Sequence, residues 1–205
     1  MYLSRGTELK ILIGQRGLDG GRKNVGSGGG ATFIAYAFNE SRPISVAGGG
    51  GGGGSAKGDP GQTVSSGSPS VAGGKNMAGG LVCLSVKIET SGAGGGYYGD
   101  GRCYTSSPCV GNFCNKGGKS FLNGGNGGTG LTSKCDGGFG GGGACSPSIP
   151  GGGGGYSGGG IDFRFVNSSL YGMAGGGGSF RPYQNWTIKQ GKKAGDGYAL
   201  FRLVQ

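Results

Sequence analysis

The longest glycine run in this chain begins directly after apolar residues. Ser45-Val46-Ala47 is followed by seven consecutive glycines, residues 48–54, with no polar linker between them. A backbone without side chains cannot bury apolar area, but it can form a polyproline-II helix with about 3.1 Å of rise per residue. Seven glycines would then span about 22 Å. Similar glycine-rich blocks recur at 92–96, 124–128, 137–143, 151–160 and 175–178.

Polyproline-II helices make no internal hydrogen bonds, so their N–H and C=O groups need partners in neighbouring helices once water is excluded. Only glycine lets backbones approach that closely, and the collagen repeat of one glycine in three is missing. We therefore predict a bundle of glycine-rich polyproline-II-type helices. The glycines expected to be structural are Gly48, Gly51, Gly54, Gly140 and Gly153. The alternative is a set of flexible linkers.

Cysteines offer one way to offset the cost of ordering 59 glycines, about 0.5–1 kcal/mol each relative to alanine. An even number of cysteines in a chain poor in core residues predicts up to three disulfides and an oxidising compartment, with 15 possible pairings. The chain has no histidine and no closely spaced cysteine pair, which argues against zinc. We expect no metal and no cofactor. The disulfide candidates are Cys83, Cys103, Cys109, Cys114, Cys135 and Cys145.

Three N-glycosylation motifs begin at Asn39, Asn167 and Asn185. Together with the cysteines they favour an extracellular protein. No stretch approaches the roughly 20 apolar residues of a membrane span, and no signal peptide is visible at the start. We expect an extracellular or secreted chain, and a piece of a longer protein whose signal peptide lies upstream.

The net charge of +10 is spread along the chain in single residues or pairs rather than in a basic stripe. This pattern favours acidic proteins, glycans or anionic lipid as partners over nucleic acid. Without histidine the common general base is absent, and the acidic residues beside glycine are simplest to interpret as turn residues. We expect no catalytic residues. The turn residues in question are Asp59, Asp100, Asp136 and Asp196.

Aromatic residues interrupt the glycine blocks. They could form a recognition surface, but we expect most of them to pack over the ends of the bundle and its junction with a sheet. The residues are Tyr97, Tyr98, Phe113, Phe121, Phe139, Tyr156, Tyr171 and Phe180.

Strand patterns concentrate at the two ends of the chain. The expected strands cover residues 8–14, 31–38, 43–47, 81–88, 161–166, 185–189 and 197–204, with a turn at 39–42. No segment has a sustained helical period. The prediction is a β-sandwich formed by residues 1–47 and 161–205, with a glycine-rich helix bundle inserted at 48–160.

Several motifs in series resemble one known family. They are LIGQRG at 12–17, GGGATFI at 28–34, ISVAGGG at 44–50, GGFGGGGAC at 137–145 and GGGGGYSGG at 151–159. This order is similar to the extracellular glycine-rich domain of the anaplastic lymphoma kinase and leukocyte tyrosine kinase receptor family. The similarity covers nearly the whole chain.

The resemblance implies a tumour-necrosis-factor-like antiparallel β-sandwich that carries the glycine bundle. It also implies a single-pass receptor tyrosine kinase in which this domain binds a protein ligand and dimerises, with the kinase domain outside these residues. The alternative is a stand-alone secreted or phage-type glycine-rich adhesin or structural protein. An antifreeze role is less favoured, because faces of Thr or Ala with period three are not evident.

Overall fold

The chain forms short β-strands around a large glycine-rich region. The computed structural model describes residues 3–20, 25–84, 91–103, 112–113, 115–166, 169–183, 187–191 and 195–202. The strands are β1 (Leu9–Leu12), β2 (Asp19–Gly20), β3 (Val25–Gly26), β4 (Thr32–Tyr36), β5 (Asn39–Ala47), β6 (Val82–Leu84), β7 (Arg102–Cys103), β8 (Asn112–Phe113), β9 (Ile161–Val166) and β10 (Ser169–Ala174). Two 3₁₀ turns lie at Pro69–Val71 and Ser133–Cys135. The prediction of a mainly β protein is confirmed.

Two sheets contain three strands each. The first has the order β1-β4-β5 and is antiparallel throughout. The second has the order β10-β9-β6, in which β10 pairs antiparallel with β9 and β6 pairs parallel with it. β6 comes from the middle of the chain, so the second sheet joins this middle region to the later strands. Two further two-stranded ladders are β2-β3 and β7-β8.

Alternation explains why β4 and β9 are strands. In β4, Phe33 and Ala35 are fully buried while Ile34 between them is only half-buried, which is the period-two burial of a sheet with one covered face. β9 has the predicted bounds, 161–166. β10 was not predicted, because Gly172 interrupts its apolar residues and a glycine run follows it directly.

The predicted turn at 39–42 is wrong, because β5 already begins at Asn39. Tyr36 pairs with Asn39 but Ala35 pairs with Pro43, so residues 40–42 form an extra stretch between two successive pairs. This irregularity bends the strand and turns residues 40–42 out of the ladder. The chain reverses instead at Ala37 and Phe38.

The described parts of the two late predicted strands are not strands. Residues 187–191 and 195–202 carry no ladder pairing, and Asn185 lies outside the described residues. Residues 195–202 are attached near the end of β1: Gly197 N–H donates to Gly14 O over 2.7 Å, and Arg16 N–H donates to Asp196 Oδ1 over 2.9 Å.

The glycine core consists of segments 26–30, 48–54, 92–96, 137–144, 151–160 and 174–178. Outside the ends of β3 and β10 these segments are neither helix nor strand, and residues 151–160 are all buried. Most of their amides donate to carbonyls outside their own segment over 2.7–3.2 Å, and the bonds from Gly142 to Gly138 and from Gly159 to Gly153 are exceptions. Buried backbone groups are thus satisfied mainly between segments.

Segment 151–156 shows a regular alternation of partners. Three successive amides donate to three different neighbouring segments, and the fourth amide donates again to the first of these segments. The bonds run from Gly151 and Gly154 to Gly26 and Gly29, from Gly152 and Gly155 to Gly92 and Gly95, and from Gly153 and Tyr156 to Gly175 and Gly178. In addition, Gly52 and Gly49 donate to the carbonyls of Gly151 and Gly154. The partners therefore repeat every three residues.

Close approach explains the glycines themselves. A Cβ on Gly51 would stand 2.6 Å from the carbonyl carbon of Ala174, and one on Gly153 would stand 2.8 Å from the carbonyl carbon of Gly50. Gly48 is equally tight, with Gly177 C at 2.7 Å. Gly140 is required for a second reason, because its φ of +102° lies in a backbone region that favours glycine. Gly54 is looser, because its nearest neighbour would be Pro150 Cδ at 3.4 Å, an ordinary contact.

Candidate interaction surface

Two aromatic side chains mark the outer end of the first sheet. The β4–β5 turn places the ring of Phe38 5.2 Å from that of Tyr36, and the Phe38 residue is 78% exposed. Large apolar side chains exposed in this way contribute nothing to the core. They are the kind of group that anchors a protein partner.

A shallow pocket opens beside these rings. Its volume is about 340 Å³. The lining residues combine aromatic and aliphatic carbon with two aliphatic hydroxyls, one phenol and one guanidinium. The hydroxyls of Ser4 and Thr7 are 3.1 Å apart. The lining residues are Leu3, Ser4, Thr7, Tyr36, Phe38 and Arg42. We call this set the hairpin surface.

Two phenols from the loop that follows segment 92–96 hold the hairpin surface in place. Tyr97 Oη donates to Glu40 O over 2.5 Å, and Tyr98 Oη donates to Ser41 O over 3.0 Å. Both acceptors belong to the 40–42 irregularity in β5, which therefore has a fixed position. Burial, followed by the neighbouring Tyr98 and Glu40, raises the pKa of the Tyr97 phenol, so it remains a neutral donor at physiological pH.

Lys10 adds a further tie. Its Nζ lies 2.7 Å from Glu40 Oε2 and 5.1 Å from the centroid of the Phe121 ring. The ion pair is partly exposed and contributes little by itself. Its role is positional, since it links β1 to the same irregularity that Tyr97 and Tyr98 hold.

Beneath this surface the aromatic residues form the junction that the sequence predicts. Phe33 of β4 packs against Phe121 and Tyr97, with ring centroids 5.0 and 6.0 Å away, and all three are buried. Tyr156 stacks on Phe180 at 4.6 Å. Tyr98 and Phe139 are exposed. The side chains of Phe113 and Tyr171 lie outside the described part.

Asp100 does more than shape a turn. Its carboxylate accepts from Ser120 N–H at 2.8 Å, Asn123 Nδ2 at 2.9 Å and Lys119 Nζ at 2.9 Å. Burial alone would raise the pKa of this carboxyl, but these three donors lower it below its usual value. Asp100 therefore cross-links residues 119–123 to the segment after Tyr98. The sequence carried no signal for this role, because the donors are about 20 residues away in sequence.

The cysteines are joined in disulfides wherever the structure describes them. Cys135 pairs with Cys145, with Cα atoms 4.9 Å apart. Cys83 and Cys103 are also disulfide-bonded. Cys109 and Cys114 lie outside the described residues. Cys135 and Cys145 pack with Val25 in a small separate core.

The three glycosylation candidates have different outcomes. Asn39 lies at the start of β5, where its Oδ1 accepts from both Ser41 N–H (3.2 Å) and Ser41 Oγ (2.5 Å). The Ser41 hydroxyl thus lies against the Asn39 amide. Asn167 and Asn185 are outside the described residues. Glycosylation itself stays a prediction.

Within the described ranges, no helix is long and apolar enough to cross a membrane. No group of three or more acidic or cysteine side chains is arranged to hold a metal ion among these same residues. No protein-family model matches the chain, and no curated protein matches it significantly.

Proposed function

We propose that this chain is an extracellular ligand-binding module, the glycine-rich part of a receptor resembling the anaplastic lymphoma kinase and leukocyte tyrosine kinase family. Its role is to bind a protein ligand, while the kinase of such a receptor lies outside these residues. One observation carries the binding proposal. Exposed Phe38 lies in a hairpin that the phenols of Tyr97 and Tyr98 hold in place through hydrogen bonds to the backbone of β5. Rigid presentation lowers the entropic cost of binding.

The proposal includes a more specific architecture. We assign polyproline-II conformation to the glycine core, and the partner alternation of 151–156 supports it, because such a helix has three residues per turn. We also interpret the two three-stranded sheets as the layers of a tumour-necrosis-factor-like sandwich. Two features depart from its antiparallel form, namely the parallel β6–β9 pair and the separate buried clusters of the two sheets. Backbone couplings typical of a φ near −75° in residues 151–155 would test the helical assignment by NMR.

The chemistry of the hairpin surface indicates the kind of ligand. Arg42 offers a fork of donors suited to a carboxylate, and the rings of Tyr36 and Phe38 offer apolar contact. The net charge of +10 attracts acidic partners over a distance. We therefore expect a protein ligand that presents an acidic side chain next to an apolar or aromatic one.

Selection from a display library of small secreted proteins tests this function. Binders selected on the native chain are measured again on the variants Phe38→Ser and Arg42→Glu, with Val64→Ser as the control because Val64 is 57% exposed and not part of the hairpin surface. We expect at least a tenfold loss of affinity for the first two variants and none for the control. Equal binding by all four proteins would contradict the proposal. Binding of polysaccharide instead of protein would favour an adhesin.

A further inference from the structure

The outer edge of the first sheet is open. β1 pairs with β4 on one side only, and Ala37 N–H donates to Glu8 O. Since backbone groups alternate in direction along a strand, those of Lys10 and Leu12 also face β4, whereas those of Leu9 and Ile11 face outward. Among the described residues, the outward groups of Leu9 and Ile11 have no hydrogen-bond partner.

A segment of the same chain that begins beside Gly14, just after the end of β1, exposes apolar side chains. We call residues 198–202 the arm. Its Leu200 is 88% exposed and its Phe201 is 52% exposed. Ile11 on the sheet edge is 42% exposed. A chain with so few large apolar residues thus leaves apolar side chains uncovered in two places, on the arm and on a strand edge.

The phase of the ladder explains why the arm does not pair with its own β1. The bond from Gly197 to Gly14 fixes the start of the arm. If the arm continued from that bond as an antiparallel strand beside β1, the backbone groups of Ala199 would face Leu12 and those of Phe201 would face Lys10. Those residues already use their backbone groups on β4. The arm is therefore one residue out of phase with the open positions, Leu9 and Ile11.

We propose that the arm of one copy adds as a strand to the β1 edge of a second copy. An arm from another molecule is not tied to this molecule's Gly14, so it can shift by one residue and meet Leu9 and Ile11. Each copy has one arm and one edge, so a two-fold arrangement satisfies both at once. Strand addition of this kind satisfies the outward backbone groups and covers Leu200, Phe201 and Ile11. This pairing needs no ligand and is independent of the hairpin surface.

The particle mass in solution, measured by light scattering from 1 to 100 μM, tests the proposal. We expect the native chain to become dimeric within this range. Leu200→Asp alters the arm and Ile11→Lys alters the edge, and each should weaken the dimer at least tenfold. Val64→Asp, at an exposed site elsewhere, should leave it unchanged. Leu200 is exposed enough that its replacement leaves folding intact, so this variant is informative even if Ile11→Lys misfolds.

Hydrogen exchange gives a second readout. The amides of Leu9 and Ile11 should become protected as the protein concentration rises, and Leu200→Asp should abolish that protection. A native chain that stays monomeric at 100 μM would overturn the proposal. So would a dimer that is insensitive to Leu200→Asp, or protection of Ile11 that does not depend on concentration.

Discussion

The first sheet and the glycine core hold together by different means. In the β1-β4-β5 sheet, side chains such as Leu12, Phe33 and Val46 bury apolar area, and each strand bonds with at most two neighbouring strands. In the glycine core, segment 151–156 bonds with segments 26–29, 49–52, 92–95 and 175–178 at once. Removing side chains thus replaces hydrophobic burial with a greater number of backbone neighbours. The sheet should tolerate changes of shape that the glycine core cannot.

The strongest test of this difference adds one methyl group to the glycine core. Gly51→Ala should abolish folding, because its Cβ would stand 2.6 Å from the carbonyl carbon of Ala174 and rigid backbones on both sides prevent relaxation. Gly53→Ala is the matched control, since a Cβ there has nothing within 4 Å and no positive φ. The free energy of unfolding of this control should stay the same or rise by up to about 1 kcal/mol. Urea denaturation measures both, and similar stabilities would contradict close backbone packing.

Removal of a ring from the sheet should have the next largest effect. Phe33→Ala should cost about 3–5 kcal/mol, because it leaves a cavity beneath Tyr97 and Phe121. Phe33→Leu keeps most of the volume and should cost about 1.5 kcal/mol or less. The same denaturation experiment checks both. If Phe33→Leu were as damaging as Gly51→Ala, the contrast between the two regions would not hold.

Reduction of the disulfides should loosen the middle of the chain and spare the first sheet. The Cys135–Cys145 bond spans a sequence separation of 10, and closing such a loop contributes about 2–3 kcal/mol. We expect amides of residues 137–144 to lose protection from hydrogen exchange on reduction while those of β4 keep it. The double variant Cys135→Ala, Cys145→Ala separates the effect of losing this bond from the effect of losing the other disulfides. Unchanged protection of 137–144 in both experiments would refute the prediction.

The smallest effect in this series concerns Asp100. Asp100→Asn should cost about 2 kcal/mol at pH 7, because charge-assisted hydrogen bonds are replaced by weaker ones. The folded-state pKa of Asp100 is lowered, so its contribution is present above the unfolded-state pKa and is lost as pH falls through the lower folded value. Urea denaturation of both proteins from pH 7 to pH 2 should show their difference in stability shrinking in acid. A constant difference would contradict this role.

Part of the fold could be predicted because strands carry their signal in side chains. The alternation in β4 and the bounds of β9 follow from residues 31–38 and 161–166. β10 was missed because a glycine within it weakens the strand pattern. The turn at 39–42 was wrong because the irregular pairing of β4 with β5 leaves no pattern in the sequence of β5 alone. The described part of the expected strand at 197–204 is not a strand, because strand pairing also needs a partner edge from a distant part of the chain, which these residues do not reveal.

The candidate site was less predictable than the fold. The sequence located aromatic residues between glycine blocks, and most of those described pack at the junction as expected. It did not point to Tyr36, Phe38 and Arg42, because an aromatic near a turn looks the same whether it is buried or exposed. Contacts from Tyr97 and Tyr98, more than 50 residues later, decide that this hairpin is held in place.

By itself, the sequence determined where side chains are missing and therefore where backbones can meet at close range. It also determined the strands whose alternation is strong. Only the tertiary structure decided which carbonyl each glycine amide meets, since identical residues such as Gly151, Gly152 and Gly153 carry nothing to distinguish their partners. That choice is made by the strands, aromatic residues and disulfides at the ends of the glycine segments, which fix the register of the backbone between them.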